Sequence, residues 1–364
     1  MTERVYNFSP GPAVLPVPVL EQAQREMLAL PGVGSSILEI SHRSKAFLEI
    51  LAEAEANLRR LLGIPANYKV LFLQGGSRLQ FSMIPMNLLR DSGKTAEYVV
   101  SGSWGEKAAE EATYEGEMRV VWSGKATNYD RLPAWSEVPR GPRAAYLHIT
   151  SNETIQGVQF AADPDSGDVP LVCDASSDFL HRPVDIGRYG LLYACAQKNA
   201  GPAGVTIVVV RDDLLDRAPK SVPSMLNYAA YAKENSMQNT PNTFGIYVFM
   251  LITRWLEGEI GGLNKMLEFN RAKAKLVYDA LDESGGFYRG HAQRPFRSLM
   301  NVTFRLPSDD VEKRFLAGAT EHKLCELKGH RSVGGIRASI YNAMPMEGAR
   351  LLAEYMRDFA RRNG

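Results

Sequence analysis

At 364 residues the chain is longer than one hydrophobic core usually serves, so two domains are expected. Hydrophobic residues make up 45% and charged residues 23%, which excludes a disordered or low-complexity chain. A net charge of +1 leaves no global basic field for nucleic acid or a membrane surface. No apolar run approaches transmembrane length, and no basic segment leads into an apolar one at the amino terminus, so a cytoplasmic protein is expected. The three cysteines are Cys173, Cys195 and Cys325. The first two lie in apolar runs, where cysteine is usually a small buried hydrophobe. There is no CxxC and no metal-ligand spacing, so neither a disulfide framework nor a metal site is indicated.

In chain order, the prolines and glycine of SPGPAVLP forbid regular structure and suggest a loop laid over the body in residues 1–16. Residues 20–30 predict a helix, ended by Pro31-Gly32. Ser41 is placed to cap a second helix, whose apolar stripe is Phe47, Leu51, Ala54, Leu58 and Leu61. His42 and Arg43 then sit at its amino-terminal end, which favours an anion. Residues 69–73 predict a strand, and Gln74-Gly75-Gly76-Ser77-Arg78 turns into an apolar helix reaching Leu89. A glycine turn between strand and helix is the usual phosphate cradle, although this one matches neither the Walker loop nor the dinucleotide fingerprint.

Strands follow at 97–101, 118–122 and 144–149, the first two joined by a helix over 105–114. The alternation argues for an α/β fold with a doubly wound, mostly parallel sheet. Trp104, in a polar Gly-Ser-Trp-Gly loop, reads as a stacking platform, and Thr154 is placed to offer a hydroxyl. Residues 170–173 and 191–196 are two more short apolar runs, closed by Asp174 and by Gln197-Lys198. Uninterrupted runs of this kind belong to strands covered on both faces, whose functional groups sit at the carboxyl ends. A loop lysine is more often a solvated charge, and an aspartate after a strand is often a turn residue. The rigid, glycine-rich Asn199-Ala200-Gly201-Pro202-Ala203-Gly204 that follows the lysine favours a built site. An acid and an amine at one sheet edge suit pyridoxal phosphate, which needs a lysine for its aldehyde and a carboxylate beside its ring nitrogen. A lysine in a dry pocket near another cation is expected to lose its proton easily.

Residues 206–210 predict a further strand, antiparallel to its neighbours, and the polar 234–243 segment contains Asn239-Thr240-Pro241. Long helices near 244–257 and 263–284 lead to a smaller carboxyl-terminal domain. That domain has strands around 299–306 and 334–340 and a closing helix over 346–361, with Leu352, Tyr355, Met356 and Phe359 on one face. The expected division is a loop segment at 1–16, a large cofactor-binding domain at 17–262 and a small α+β domain at 263–364. Two His-Arg dipeptides, His42-Arg43 and His330-Arg331, together with Arg337, resemble an anion trap on a chain with almost no net charge.

Six segments, NFSPGPAVLP, EISHRSKAF, TSNETIQGVQF, DASSDFLHRPVDI, CAQKNAGPAG and GHRSVGGIRASIYNAMP, run in order from Asn7 to Pro345 and closely resemble the signature segments of the phosphoserine aminotransferase family. That family belongs to the fold-type I pyridoxal enzymes. Ser77 stands where the family often has a third glycine, and Asn242 where it often has a second proline. The resemblance implies that Lys198 holds the cofactor and carries protons, and that Asp174 pairs with the ring nitrogen. It also implies that Ser77, Arg78 and Gln197 bind the phosphate, with Asn239 and Thr240 added from the partner subunit of a homodimer. Trp104 would stack on the ring and Thr154 would bond its phenolic oxygen. Ser9 would lie near the substrate, Arg337 would hold the α-carboxylate, and His42, Arg43, His330 and Arg331 the distal carboxylate or phosphate. The implied reaction moves the amino group of glutamate to 3-phosphohydroxypyruvate, and the resemblance admits a phosphorylated hydroxythreonine of vitamin B6 synthesis as well.

Two other readings compete. The related cysteine desulfurases carry a nucleophilic cysteine ahead of the carboxylate-binding arginine, and Cys325 precedes Arg337 at a similar place. Leu324 and Leu327 flank it, however, and a desulfurase has no need of two His-Arg pairs. A non-catalytic protein that binds a phosphorylated metabolite is expected to have lost Lys198 or Asp174, and both are present.

Overall fold

The computed structural model describes residues 4–364. A seven-stranded sheet forms the centre: β1 (Tyr68–Leu73), β2 (Thr95–Val100), β3 (Glu117–Ser123), β4 (Ala144–Thr150), β5 (Leu171–Asp174), β6 (Tyr189–Cys195) and β7 (Thr206–Arg211). Their spatial order is β1-β7-β6-β5-β4-β2-β3. β7 runs antiparallel to both β1 and β6, and the other neighbouring pairs are parallel. Every residue of β5 and β6 is buried because both faces are covered. Successive side chains divide between the two layers. Val70, Phe72, Leu147, Cys173 and Leu192 enter the core under helices Lys45–Leu62 and Thr243–Gly258. Leu71, Leu73, Tyr146, Val172 and Tyr193 enter the core under helices Gly76–Leu88 and Ser103–Ala112.

A third core lies toward the carboxyl terminus. An antiparallel sheet of Arg289–Gly290, Asn301–Arg305 and Ile336–Ser339 packs with helices Leu263–Asp282, Asp309–Glu321 and Met346–Asn363. The expected face of the closing helix, Leu352, Tyr355, Met356 and Phe359, is buried here. Helix Leu263–Asp282 serves two cores: Leu263 and Met266 join the large one, while Ala274, Val277 and Leu281 join the third. The amino-terminal segment is more regular than a loop, since Tyr6–Asn7 pairs in parallel with Leu324–Cys325 and places Phe8 in the third core. Residues 1–3 of the expected 1–16 segment lie outside the described residues.

Three local expectations need correction. The first helix spans Val17–Glu26, starting at the prolines and stopping well short of Pro31, which leaves Leu28 89% exposed. The second begins at Lys45, and its cap is Ser44, whose hydroxyl accepts from Phe47 N three residues on. Ser41 Oγ instead accepts from Arg43 N in a preceding turn, so His42 and Arg43 lie before the helix. Helix Asp309–Glu321 was not anticipated, because only Phe315 and Ala319 of it are buried and no apolar stripe marks it. Among the described residues, no helix is long and apolar enough to cross a membrane.

Candidate active site

Asp174 is the last residue of β5, and Lys198 follows the end of β6 by three residues, so neighbouring parallel strands deliver both to one edge. They line a cavity of about 330 Å³ with Ser77, Arg78, Trp104, Thr154, Gln197, His330 and Arg337. Asp174 Oδ1 accepts from Ser176 N at 3.0 Å and Ser176 Oγ at 2.5 Å, which fixes the carboxylate plane. Among the described residues Oδ2 has no hydrogen-bond partner. Burial pushes the Asp174 carboxyl up, against the Ser176 hydrogen bonds and the nearby Lys198. Lys198 Nζ donates to Thr154 Oγ1 at 3.0 Å and lies 5.7 Å from the Trp104 ring centroid. Burial pulls this amine down, but Tyr341, Cys195 and Asp174 together outweigh it and Arg337, and the net direction is up. The expectation of an easily lost proton therefore fails in the chain alone. Tyr341 first, then Cys195 and Asp174, favour the ammonium more strongly than burial and Arg337 together disfavour it.

The glycine turn after β1 opens helix Gly76–Leu88 with Gly75 at φ +89°, and a Cβ there would also strike the Leu79 side chain at 2.3 Å. Ser77, the departure from the family pattern, uses its hydroxyl: Ser77 Oγ and Ser176 Oγ are 2.5 Å apart. The turn is thereby tied to the serine that holds Asp174. Asn242, the other departure, caps helix Thr243–Gly258 by accepting from Gly245 N at 2.8 Å. Arg78 pairs with Glu111 at 3.6 Å and remains largely exposed. Gln197 Oε1 and Trp104 Nε1 are buried with no partner.

Sequence reasoning missed Glu153, beside Thr154. It is fully buried, and its two oxygens accept from Trp104 N at 3.0 Å and Gly105 N at 2.8 Å, at the start of helix Ser103–Ala112. A Cβ on Gly102 would come within 2.5 Å of its carboxyl carbon, so only glycine admits this approach. Burial pushes the Glu153 carboxyl up to about 7, against these two N–H groups; Asp174 adds to the rise and Lys198 opposes it. A folded pKa raised above the ordinary 4.5 means stability present below about pH 4.5 and lost as pH rises through about 7. In cofactor-free protein, the thermal-stability advantage of wild type over Glu153→Gln should therefore shrink across that window, by on the order of 3 kcal/mol. Melting curves of the two proteins at several pH values test this, and a constant gap would show that Glu153 does not titrate there.

Arg337, on the strand Ile336–Ser339, is only 7% exposed; its Nε is unpartnered, and among the described residues no carboxylate lies within ion-pair distance. Burial pulls the guanidinium down, with Tyr341 opposing. His330 is lowered by burial and by Arg337, Lys107 and Arg331. Arg337 is thus a buried cation without a counter-ion in the cavity wall. Six expected residues do not line the cavity. Ser9 lies outside it, although Pro10 and Gly11, which follow it, do line the cavity. Arg331 and Arg43 are exposed, and His42 is half-buried with Nε2 unpartnered. Asn239 and Thr240 lie outside as well, with Gln74 Nε2 donating to Thr240 O at 3.0 Å. Cys325 is held in its short strand and does not line the cavity.

Residues 5–352 match the family described as aminotransferase class-V. The chain is 56% identical to a phosphoserine aminotransferase of Rhodopirellula baltica, over 99% of this chain and 96% of that one. It is 54% identical to one from Acidithiobacillus ferrooxidans, over 100% of each. A solved phosphoserine aminotransferase from Bacillus circulans subsp. alkalophilus matches with a TM-score of 0.97 at 52% identity, covering 100% of both chains. A PLP-bound phosphoserine aminotransferase from Trichomonas vaginalis matches at 0.92 and 40% identity, covering 97% of this chain and 99% of that one.

Proposed function

Since this chain belongs to the class-V aminotransferases, and within them to the phosphoserine aminotransferases, which use pyridoxal phosphate, we propose that it transfers the amino group of L-glutamate to 3-phosphohydroxypyruvate. The products are 3-phospho-L-serine and 2-oxoglutarate. One observation carries the substrate class: a buried, unpaired Arg337 in the wall of the cavity that holds Asp174 and Lys198. A desolvated guanidinium without a counter-ion is costly until a carboxylate arrives.

The residues present fit pyridoxal phosphate. The open Asp174 Oδ2, the orphaned Trp104 Nε1 and the backbone N–H groups of the glycine turn are polar groups awaiting a ligand. Bound there, the cofactor supplies a protonated ring able to store the electron pair left when a substrate α-carbon loses its proton. Asp174 is assigned to the ring nitrogen, and its plane is set by Ser176. Trp104 is assigned to the ring face and Thr154 to the phenolic oxygen. Ser77, Arg78 and Gln197 are assigned to the phosphate. Once neutral, Lys198 Nζ takes the substrate α-proton as general base, and Arg337 fixes the α-carboxylate so that this proton faces it. His330 and Arg331 are assigned to the distal anion, and Ser9 to the substrate entrance.

His42, Arg43, Asn239 and Thr240 stand outside their own chain's cavity, and we assign them to the site of a second copy in a homodimer. In support, the 28–48 segment that carries His42 and Arg43 also exposes Leu28, Val33, Leu38 and Leu48. Cofactor-binding and small domains at 17–262 and 263–364 are our division of the chain. Cytoplasmic location is supported by three free cysteines. The reaction is tested by supplying glutamate and 3-phosphohydroxypyruvate to cofactor-loaded protein and measuring phosphoserine. Glutamate alone should bleach the bound cofactor's visible band. Sulfide release from cysteine without glutamate turnover would instead favour a desulfurase.

A further inference from the structure

Lys273 is fully buried and plays no part in the reaction described above. It lies on helix Leu263–Asp282, and among the described residues no carboxylate is within ion-pair distance of it. Lysine is almost never fully buried unless paired. Here its Nζ donates to three successive backbone carbonyls, Ile340 O at 3.1 Å, Tyr341 O at 2.6 Å and Asn342 O at 3.4 Å. It also lies 4.9 Å from the Phe269 ring centroid. An ammonium has three protons to donate, which matches three acceptors. Burial pulls this amine down. The three carbonyls oppose this, because a neutral amine would turn its lone pair toward one of them.

Those carbonyls belong to the turn that follows the Arg337 strand, and this turn joins both halves of the site. Tyr341 Oη donates to Pro10 O at 2.8 Å, at the cavity wall. Asn342 N donates to Asn199 Oδ1 at 2.9 Å, on the residue after Lys198. Asn342 Nδ2 donates to Leu180 O at 2.9 Å. Asn270, three residues before Lys273 on the same helix, donates to Asn342 Oδ1 at 2.8 Å. Helix, turn and lysine loop are therefore one connected polar network, with Lys273 Nζ at the node that gathers the three carbonyls.

We propose that Lys273 is a tethered cation filling a carbonyl-lined cation site, and that by clamping the 340–342 turn it acts as a positioning residue setting Arg337 relative to Lys198. The catalytic half of this inference rests on the proposed aminotransferase reaction, whereas the cation site does not. If it is correct, Lys273→Met, which keeps the bulk and loses the donors, lowers the melting temperature of the holoenzyme. It also raises the KM for glutamate roughly tenfold with a smaller change in kcat. Affinity for pyridoxal phosphate should stay within about twofold, because the groups assigned to it are held by Ser176 and Glu153.

Lys273→Ala opens the cavity to a small cation. Millimolar n-propylammonium should then restore both melting temperature and KM, and 1-propanol, which fills the same space without charge, should restore neither. A wild-type melting temperature or an unchanged glutamate KM in Lys273→Met overturns the proposal, as does equal rescue by the alcohol. Should Lys273→Ala not fold alone, its refolding yield with n-propylammonium against 1-propanol is the measurement, and equal yields overturn the cation site. Failure of the wild-type protein to use glutamate would sink the reaction, while the melting and refolding comparisons would still decide the cation site.

Discussion

Lys198→Ala is expected to abolish turnover while leaving pyridoxal phosphate bound. The reason lies in how the cavity divides its work. Most groups assigned to the cofactor come from the Gly75–Arg78 turn, Trp104 and Asp174, which are fixed by Ser176 and Glu153; of the assigned groups only Thr154 is bonded by the lysine amine. Removing the amine deletes the acid–base group without disturbing those supports. Loss of one positioned general base costs about 10²–10⁴ in rate, and more if the lysine acts in further steps. Steady-state turnover and equilibrium dialysis of the cofactor measure the two quantities separately. Near wild-type turnover would remove Lys198 from its assigned role. Loss of the cofactor would show that the amine carries much of the binding.

The second large effect is a recovery of activity between two dead proteins. One partner carries Lys198→Ala; the other carries Asn239→Asp and Thr240→Asp, whose carboxylates should repel the cofactor phosphate. In the proposed homodimer, each variant alone should be nearly inactive. If a subunit's Asn239 and Thr240 serve the neighbouring site, a mixed dimer collects both defects at one site and leaves the other intact. Random exchange makes about half of the dimers mixed, so activity should recover to about a quarter of wild type. The competing outcome is real, because Gln74 already bonds the Thr240 carbonyl within one chain. If mixed dimers form, as a tagged pull-down can verify, and no activity returns, the segment serves its own subunit.

Much of this protein is legible along the chain. Short apolar runs without charge mark β5 and β6, because strands covered on both faces leave no room for polar residues until they emerge. For the same reason Asp174 and Lys198 announce themselves, since each ends or follows such a run. The glycine turn at Gly75–Arg78 is equally local, as it depends on backbone conformation rather than on distant partners. Fold class and the meeting of Asp174 and Lys198 at one sheet edge follow from these signals.

What the sequence left undetermined depends on contacts between distant residues. The cap at Ser44, in place of the expected Ser41, is a local exception, set by which hydroxyl meets an N–H three residues on. Helix Asp309–Glu321 buries too few side chains to leave a stripe. In TSNETIQG, Glu153 resembles a surface acid until helix Ser103–Ala112, about fifty residues earlier, brings its N–H groups to it. Lys273, in KAKLVYD, resembles a solvated helix charge until the turn at 340–342 closes over it. A strand run or a glycine turn is specified by near neighbours, so residue order determines it. Whether a charge is solvated, capped or caged depends on which remote backbone groups surround it, and only the tertiary structure decides that.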